Sequence, residues 1–115
     1  MRTIESDIQI LCVKWFRLIY PEPNYLIYAI PNGGSRSAKT GAWLKKEGVR
    51  AGMPDLCIHA KGKMFYVEMK APLGVLQLTQ KETHKLLKGL CVNVYTCHSF
   101  DEFRDIVKKE LCSTI

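Results

Sequence analysis

The sequence predicts an α/β domain in which helices flank a mixed β-sheet, with the element order α-β-α-β-β-α-β-α. Some segments repeat apolar residues at three- and four-residue spacing, which is the period of a helix with one buried face. Others are short, apolar and rich in β-branched residues, as buried strands are. The two kinds alternate without repeats, low-complexity tracts or a linker, so we expect a single domain over residues 1–115.

The first half of the chain predicts a helix, a strand and a second helix. A helix over residues 4–20 begins at the N-cap Thr3 and ends at the sequence YPEP. Its apolar stripe consists of Ile4, Ile8, Leu11, Cys12, Trp15 and Ile19. The stretch YLIYAI predicts a strand, PNGGSRS a glycine-rich loop, and AKTGAWLKKEG a short helix closed by Gly48.

The second half predicts a hairpin, a helix, a strand and a last helix. GMPDLCIHA and MFYVEMK read as paired strands joined at KGK, and APLGVLQL follows as a loop. Thr79 and Glu82 form a predicted capping box that starts a helix ending near Gly89. CVNVYTC predicts a further strand, and Ser99 with Glu102 forms a second capping box that opens the last helix.

Composition favours a nucleic-acid partner and gives no indication of a membrane protein. The formal net charge is +6, and a basic balance of this kind suits a polyanion. No apolar run approaches the length of a membrane span, and the polar start MRTIESD does not resemble a signal peptide. We therefore expect a soluble intracellular protein with no membrane contact.

The cysteines predict reduced thiols rather than a zinc centre. There are five of them, and no two form a CxxC pair. A zinc site would have to use Cys91, Cys97 and His98, which lie along or just after one apolar strand without a second pair of ligands. Mostly buried thiols in a reducing compartment are the favoured interpretation.

Three charges stand out on the predicted hairpin. Side chains alternate between the two faces of a strand, so Glu68 and Lys70 share one face. The opposite, core-facing set is Phe65, Val67 and Met69. Hairpin pairing brings Asp55, at the start of the preceding strand, towards the same end of the sheet. We therefore expect two carboxylates and one ammonium group to converge there.

This convergence suggests a cation site that acts on phosphate. Two neighbouring carboxylates repel each other, and neither tolerates desolvation without a counter-charge. Lys70 could offset one, and a hard divalent ion such as Mg²⁺ could offset the remainder. Such an ion polarises phosphoryl oxygens and lowers the pKa of bound water. Lys70 would orient the nucleophile or stabilise charge on the phosphate. The alternative is a structural Glu68–Lys70 salt bridge, with Asp55 as a turn residue after Pro54.

These residues also carry a family resemblance. PD at positions 54–55 followed by EMK at 68–70 resembles the PD-(D/E)xK nuclease signature. Together with Glu5 on the first helix, the ordered segments NGGSR, GMPDL and YVEMKAPLGVLQLTQKE resemble the virus-type replication-repair nuclease (VRR-Nuc) family over roughly residues 5–100. The resemblance implies that the predicted sheet and helices form a restriction-endonuclease-like fold.

The same resemblance assigns roles at the hairpin. It implies that Asp55, Glu68 and the main-chain carbonyl of Met69 bind Mg²⁺ or Mn²⁺, and that Lys70 is the catalytic lysine. Glu5 would complete the acidic cluster at the metal or hold a metal-bound water. The alternative for Glu5 is a favourable negative charge at a helix N-terminus.

The helix after the hairpin supplies one further implied site residue. Gln80 matches a glutamine of the family that opens this helix and helps to order the site, although Gln77 competes for that role. The alternative is that Gln80 is an ordinary first-turn residue. Of the three histidines, only His84 is expected to face the site, because it lies one turn after Gln80. No catalytic role is assigned to it.

The glycine-rich loop predicts a substrate clamp. Glycines let main-chain N–H groups approach phosphate, and the loop leads into a helix N-terminus that favours anions. Walker spacing is absent, so no nucleotide cofactor is expected. The alternative is a plain connecting loop. Candidate nucleic-acid contacts are Asn32, Gly33, Gly34, Ser35, Arg36, Lys39, Arg50 and Lys81. Such contacts carry no sequence code, so we expect recognition of shape and steep salt dependence.

These expectations together predict a metal-dependent DNA endonuclease. Small standalone proteins that resemble this chain are typically phage or bacterial and can act as dimers on branched DNA such as four-way (Holliday) junctions, which implies cytoplasmic action in DNA repair. Paired cuts at a junction need two active sites, so we expect a homodimer. The alternatives are a non-catalytic nucleic-acid-binding module with the same fold, or a nuclease that acts on flaps, single strands or RNA.

Overall fold

A computed structural model of the chain describes residues 3–31 and 38–112, and the element order is the predicted one. The helices and strands are α1 (Ile4–Ile19), β1 (Leu26–Ala29), α2 (Ala38–Lys46), β2 (Leu56–Ala60), β3 (Lys63–Met69), α3 (Leu78–Gly89), β4 (Asn93–Cys97) and α4 (Phe100–Cys112).

The four strands form one mixed sheet in the order β1-β2-β3-β4. β1 pairs with β2 and β2 with β3 in antiparallel fashion, whereas β3 and β4 are parallel. A parallel pair needs a crossover connection, and α3 provides it between β3 and β4. Gly62 has a φ of +73° in the turn of the β2–β3 hairpin. The predicted α/β class is confirmed, and the arrangement is consistent with a restriction-endonuclease-like fold.

One face of the sheet forms the hydrophobic core. The predicted core set of Phe65, Val67 and Met69 is fully buried there, as strand alternation requires. α1 and α4 supply further buried side chains to the same cluster, among them Phe16 and Phe103. Burial of each such side chain stabilises the fold by roughly 1.5–3 kcal/mol. Glu68 therefore lies on the opposite face of the sheet, near the end of β3, and side chains of α3 contact it there.

The predicted starts of the first and last helices are confirmed. Thr3 caps α1, and its Oγ1 accepts a hydrogen bond from the N–H of Ser6 at 3.0 Å. Ser99 precedes α4, and its Oγ accepts from the N–H of Glu102 at 3.1 Å. The Glu102 carboxylate reaches one residue further back than a standard capping box, because it accepts from the N–H of His98 at 2.7 Å.

The predicted capping box of Thr79 and Glu82 is wrong. α3 begins two residues earlier, at Leu78, and its N-cap is Gln77 rather than Thr79. The N–H of Gln77 donates to Oε1 of Gln80 at 2.8 Å, so this pair closes the helix start. Thr79 lies inside the first turn, where its main-chain carbonyl packs against Gly52.

The prediction of free, mostly buried thiols agrees with the structure, and the reducing compartment stays a prediction. All five cysteines are free; Cys12, Cys57 and Cys97 are buried, and Cys91 and Cys112 are exposed. Within residues 3–31 and 38–112, no group of three or more His, Cys, Asp or Glu side chains is arranged to hold a metal ion. No helix in these two stretches is long and apolar enough to cross a membrane.

Candidate active site

Asp55 and Glu68 meet at one end of the β2–β3 hairpin. Leu56 lies opposite Val67 in the register, so Asp55 comes beside the last residues of β3. Its Oδ2 accepts a hydrogen bond from the main-chain N–H of Met69 at 2.7 Å. Asp55 therefore bonds across the hairpin rather than serving as a local turn residue.

The carboxylate of Glu68 is buried and held by α3. Its side chain is 1% exposed, which is rare for a glutamate. Nε2 of Gln80 donates to Oε2 of Glu68 at 3.3 Å, and Nε2 of His84 lies 3.1 Å from Oε1. Gln80 and His84 are one helical turn apart, so both present their side chains on the same face of α3.

Burial and a second acid make the ionised form of Glu68 unfavourable. Burial is the largest cause, and it raises the pKa of Glu68 to about 9. Hydrogen bonding to Asp55 and the negative charges of Asp55 and Glu5 act in the same direction, whereas the positive charge of Lys70 opposes them. With both acids ionised, the site would have more negative charge than Lys70 offsets, and a bound divalent cation would relieve this excess.

His84 meets Glu68 as a hydrogen-bonding partner rather than as a full cation. Burial is the main cause that lowers the pKa of His84, and the positive charges of Lys88 and Lys70 lower it further. These effects favour the neutral imidazole, in which one ring nitrogen carries the proton.

Lys70 follows β3 directly and is 8% exposed. Its main-chain N–H donates to the carbonyl of Cys97 at 2.9 Å, which extends the β3–β4 pairing to this residue. Within the described part of the chain, no ion pair of 4.0 Å or less joins Lys70 to Glu68. The interpretation as a structural Glu68–Lys70 salt bridge therefore gains no support, although the charge of Lys70 acts on Glu68 and on His84.

The residues that come together fit a hard divalent cation. Mg²⁺ commonly takes one or two carboxylates and keeps several waters, and Asp55 with Glu68 supplies such a pair. Glu5 lies in the first turn of α1, half-buried, and its charge reaches Glu68. Among the side chains that the structure describes, however, no third His, Cys, Asp or Glu completes a ligating group. The ligand roles of Glu5 and of the Met69 carbonyl stay predictions.

The two glutamines of the α3 start have different partners. Gln80 contacts Glu68, as the expected ordering role requires, whereas Gln77 supplies the N-cap. His84 contacts Glu68 as closely as Gln80 does, although sequence reasoning assigned it no role. The four-residue spacing between Gln80 and His84 was the available signal.

A close contact between Gly52 and α3 joins the two halves of the site. Gly52 has a φ of +81°, and a Cβ built there would lie 2.4 Å from the carbonyl oxygen of Thr79. Beside it, Oγ1 of Thr83 donates to the carbonyl of Ala51 at 3.2 Å. The segment that leads into Asp55 is thereby packed on the start of α3.

The predicted nucleic-acid contacts are only partly visible. Asn32, Gly33, Gly34, Ser35 and Arg36 lie outside the described residues, and so does the side chain of Lys39. Arg50 is exposed on the segment before Asp55, and Lys81 is exposed beside Gln80 on α3. All of these contacts stay predictions.

Comparison with known proteins places this site in a known domain family. Residues 5–101 match the family model of the VRR-NUC domain. The matched range includes Glu5, Asp55, Glu68, Lys70 and Gln80. A search of curated proteins finds no matching relative. Because the match covers most of the chain, the protein belongs to the VRR-NUC domain family, a nuclease-type family of hydrolases.

Proposed function

We propose that this protein is a Mg²⁺- or Mn²⁺-dependent endonuclease that hydrolyses phosphodiester bonds in DNA. The observation that carries the proposal is the pairing of Asp55 with the buried Glu68 beside Lys70, in a chain of the VRR-NUC family. A buried acid beside a second acid, with insufficient counter-charge, destabilises a fold, so this arrangement favours a role in chemistry.

Asp55, Glu68 and the carbonyl of Met69 would hold the cation, with Glu5 supporting a metal-bound water. When bound, the cation would polarise a phosphoryl oxygen and lower the pKa of the attacking water. Asp55 is oriented for this task by the N–H of Met69, and Glu68 by Gln80 and His84.

Lys70 would stabilise negative charge on the transferring phosphate or orient the nucleophile. Its burial beside the two acids strengthens its electrostatic effect, because the local dielectric constant is lower than that of water. The main-chain bond to Cys97 fixes the start of its side chain at the end of the sheet.

Substrate binding would rest on charge and shape. The formal net charge is +6, and Arg50 and Lys81 are exposed on the two segments that meet at the site. The glycine-rich segment and Lys39 would add phosphate contacts. We propose branched DNA such as four-way junctions as the substrate, cut by a homodimer in the cytoplasm of a bacterial or phage-infected cell. The described residues of one chain form one such site, whereas paired incision needs two.

A cleavage panel tests this proposal. Labelled four-way junctions, flaps, plain duplex and single strands are incubated with the protein in Mg²⁺, in Mn²⁺ and in EDTA. We expect cutting of the junctions only with metal, and a loss of at least about 100-fold in Asp55→Asn and Lys70→Ala. Asp105→Asn and Lys108→Ala are matched controls, because both residues are exposed on α4, which packs on the opposite face.

The other outcomes separate the alternatives. Binding without cutting of any substrate would favour a non-catalytic binding module. Equal cutting of plain duplex would remove the junction assignment, and preferential cutting of flaps, single strands or RNA would replace it. If sedimentation shows that only one protein molecule binds each junction, paired incision by a dimer is contradicted.

A further inference from the structure

We propose that His84 is a positioning residue that, together with Gln80, holds the Glu68 carboxylate in the orientation needed to bind the metal ion. The inference rests on the proposed metal-dependent function. It concerns a residue that touches neither substrate nor metal and acts only through Glu68.

The geometry of the contact supports this role. His84 reaches one oxygen of Glu68 at 3.1 Å, and Gln80 reaches the other at 3.3 Å. Because each oxygen has its own partner, the carboxylate cannot rotate without losing one of them. Each oxygen keeps a further lone pair for a cation. A carboxylate held in this way is fixed before the metal arrives.

The partners are themselves fixed. The side chain of His84 is 5% exposed, so it has little room to change rotamer. Gln80 is bound at its other end, because its Oε1 accepts from the N–H of Gln77. The start of α3 cannot easily move closer to the segment before β2 or slide along it, because the carbonyl of Thr79 already packs against Gly52. The helix therefore presents both contacts from a rigid base.

Removal of His84 would leave Glu68 free to turn. Metal binding requires both Glu68 and Asp55 to be ionised, and two neighbouring carboxylates then repel each other, so an unheld Glu68 carboxylate would swing away. Side chains that hydrogen-bond to the ligands of a metal ion commonly contribute 10- to 100-fold to metal affinity or activity. We expect an effect in that range on metal binding, with little effect on the binding of DNA in the absence of metal.

The test compares three variants of the whole chain by titration calorimetry with Mn²⁺ and no DNA. His84→Phe keeps a ring but removes the hydrogen bond, and His84→Gln keeps an N–H group that can donate. His59→Phe is the matched control, because His59 contacts Tyr28 and Cys57 and not Glu68. We expect roughly 10- to 100-fold weaker Mn²⁺ binding in His84→Phe, substantial recovery in His84→Gln, and native affinity in His59→Phe.

A second measurement uses the native protein, so its result does not depend on whether the His84 variants fold. Nitrogen-15 NMR of the native protein saturated with Mg²⁺ reports which ring nitrogen of His84 carries the proton. A metal-bound carboxylate can only accept hydrogen bonds, so we expect the proton on Nε2. A proton on Nδ1 alone would overturn the proposal.

The outcomes separate this inference from the function on which it rests. If the native protein binds Mn²⁺ and cuts DNA while His84→Phe binds Mn²⁺ within twofold of it, the positioning role is wrong and the nuclease stands. If the native protein binds no Mn²⁺ or Mg²⁺, both proposals fail. An equal loss in His84→Phe and His84→Gln, with DNA binding in EDTA also lost, would indicate a merely structural histidine.

Discussion

Gly52→Ala should destabilise the protein far more than its position in a loop suggests. The φ of +81° places this residue in the left-handed region, where an alanine costs roughly 1–2 kcal/mol. The added Cβ would also lie 2.4 Å from the carbonyl oxygen of Thr79 and 2.9 Å from Oγ1 of Thr83. The nearer neighbour is main chain, so the start of α3 must shift, at about 1–3 kcal/mol. The expected total is about 2–5 kcal/mol.

Gly62→Ala separates the two causes. Gly62 has a φ of +73°, and a Cβ built there meets nothing within 4 Å. It therefore carries only the backbone penalty of about 1–2 kcal/mol. The difference between the two variants isolates the contact with α3.

The assay is urea unfolding in EDTA at 25 °C, followed by Mn²⁺ titration. We expect Gly52→Ala to lose about 1–3 kcal/mol more than Gly62→Ala, with an unchanged urea dependence. A shifted α3 also moves Gln80 and His84, so Mn²⁺ affinity should fall in Gly52→Ala alone. Equal destabilisation of the two variants would refute the idea that this contact sets the position of α3.

Two further predictions concern titratable groups. In EDTA, Glu68→Gln should be more stable than the native chain at pH 8 by more than about 1.4 kcal/mol, the free energy of one pKa unit. Folding raises the pKa of Glu68 from 4.5 to about 9, so the contribution of protonated Glu68 to native stability is fully present below pH 4.5 and falls as the pH rises towards 9. The stability difference between Glu68→Gln and the native chain should therefore change with pH over this range. Urea midpoints that differ by the same amount at every pH would contradict this prediction. Burial raises the pKa of Cys12 to about 12 and that of Cys97 to about 11. Iodoacetamide at pH 8 should therefore label the exposed Cys91 and Cys112 first, as followed by mass spectrometry, and early labelling of the buried pair would argue against this packing.

Local periodicity was sufficient to predict most of the fold. Alternation along β3 separates Val67 from Glu68, and the buried core set and the Asp55–Glu68 pairing follow from that alternation and the hairpin register. The thiols were predictable for a similar reason, since cysteines on apolar faces are buried with those faces. These features depend on residues close in sequence or directly paired.

Features set by distant contacts were not predictable. The α3 start contains two segments with capping potential, and the contact between Gly52 and Thr79 places the helix so that Gln77 becomes the N-cap. The role of His84 depends on α3 crossing the face of the sheet that presents Glu68. Helical spacing groups His84 with Gln80 but does not reveal what they touch.

The amide of Gln80 performs two tasks that no charged side chain could combine. Its oxygen accepts from the N–H of Gln77, and its nitrogen donates to Glu68. A glutamate at this position would keep the first bond but place a third negative charge beside the acids. A lysine would satisfy Glu68 but leave the helix start without its acceptor. The Gln80 amide is neutral and has both an acceptor and a donor. The start of α3 and the orientation of Glu68 therefore depend on the same side chain.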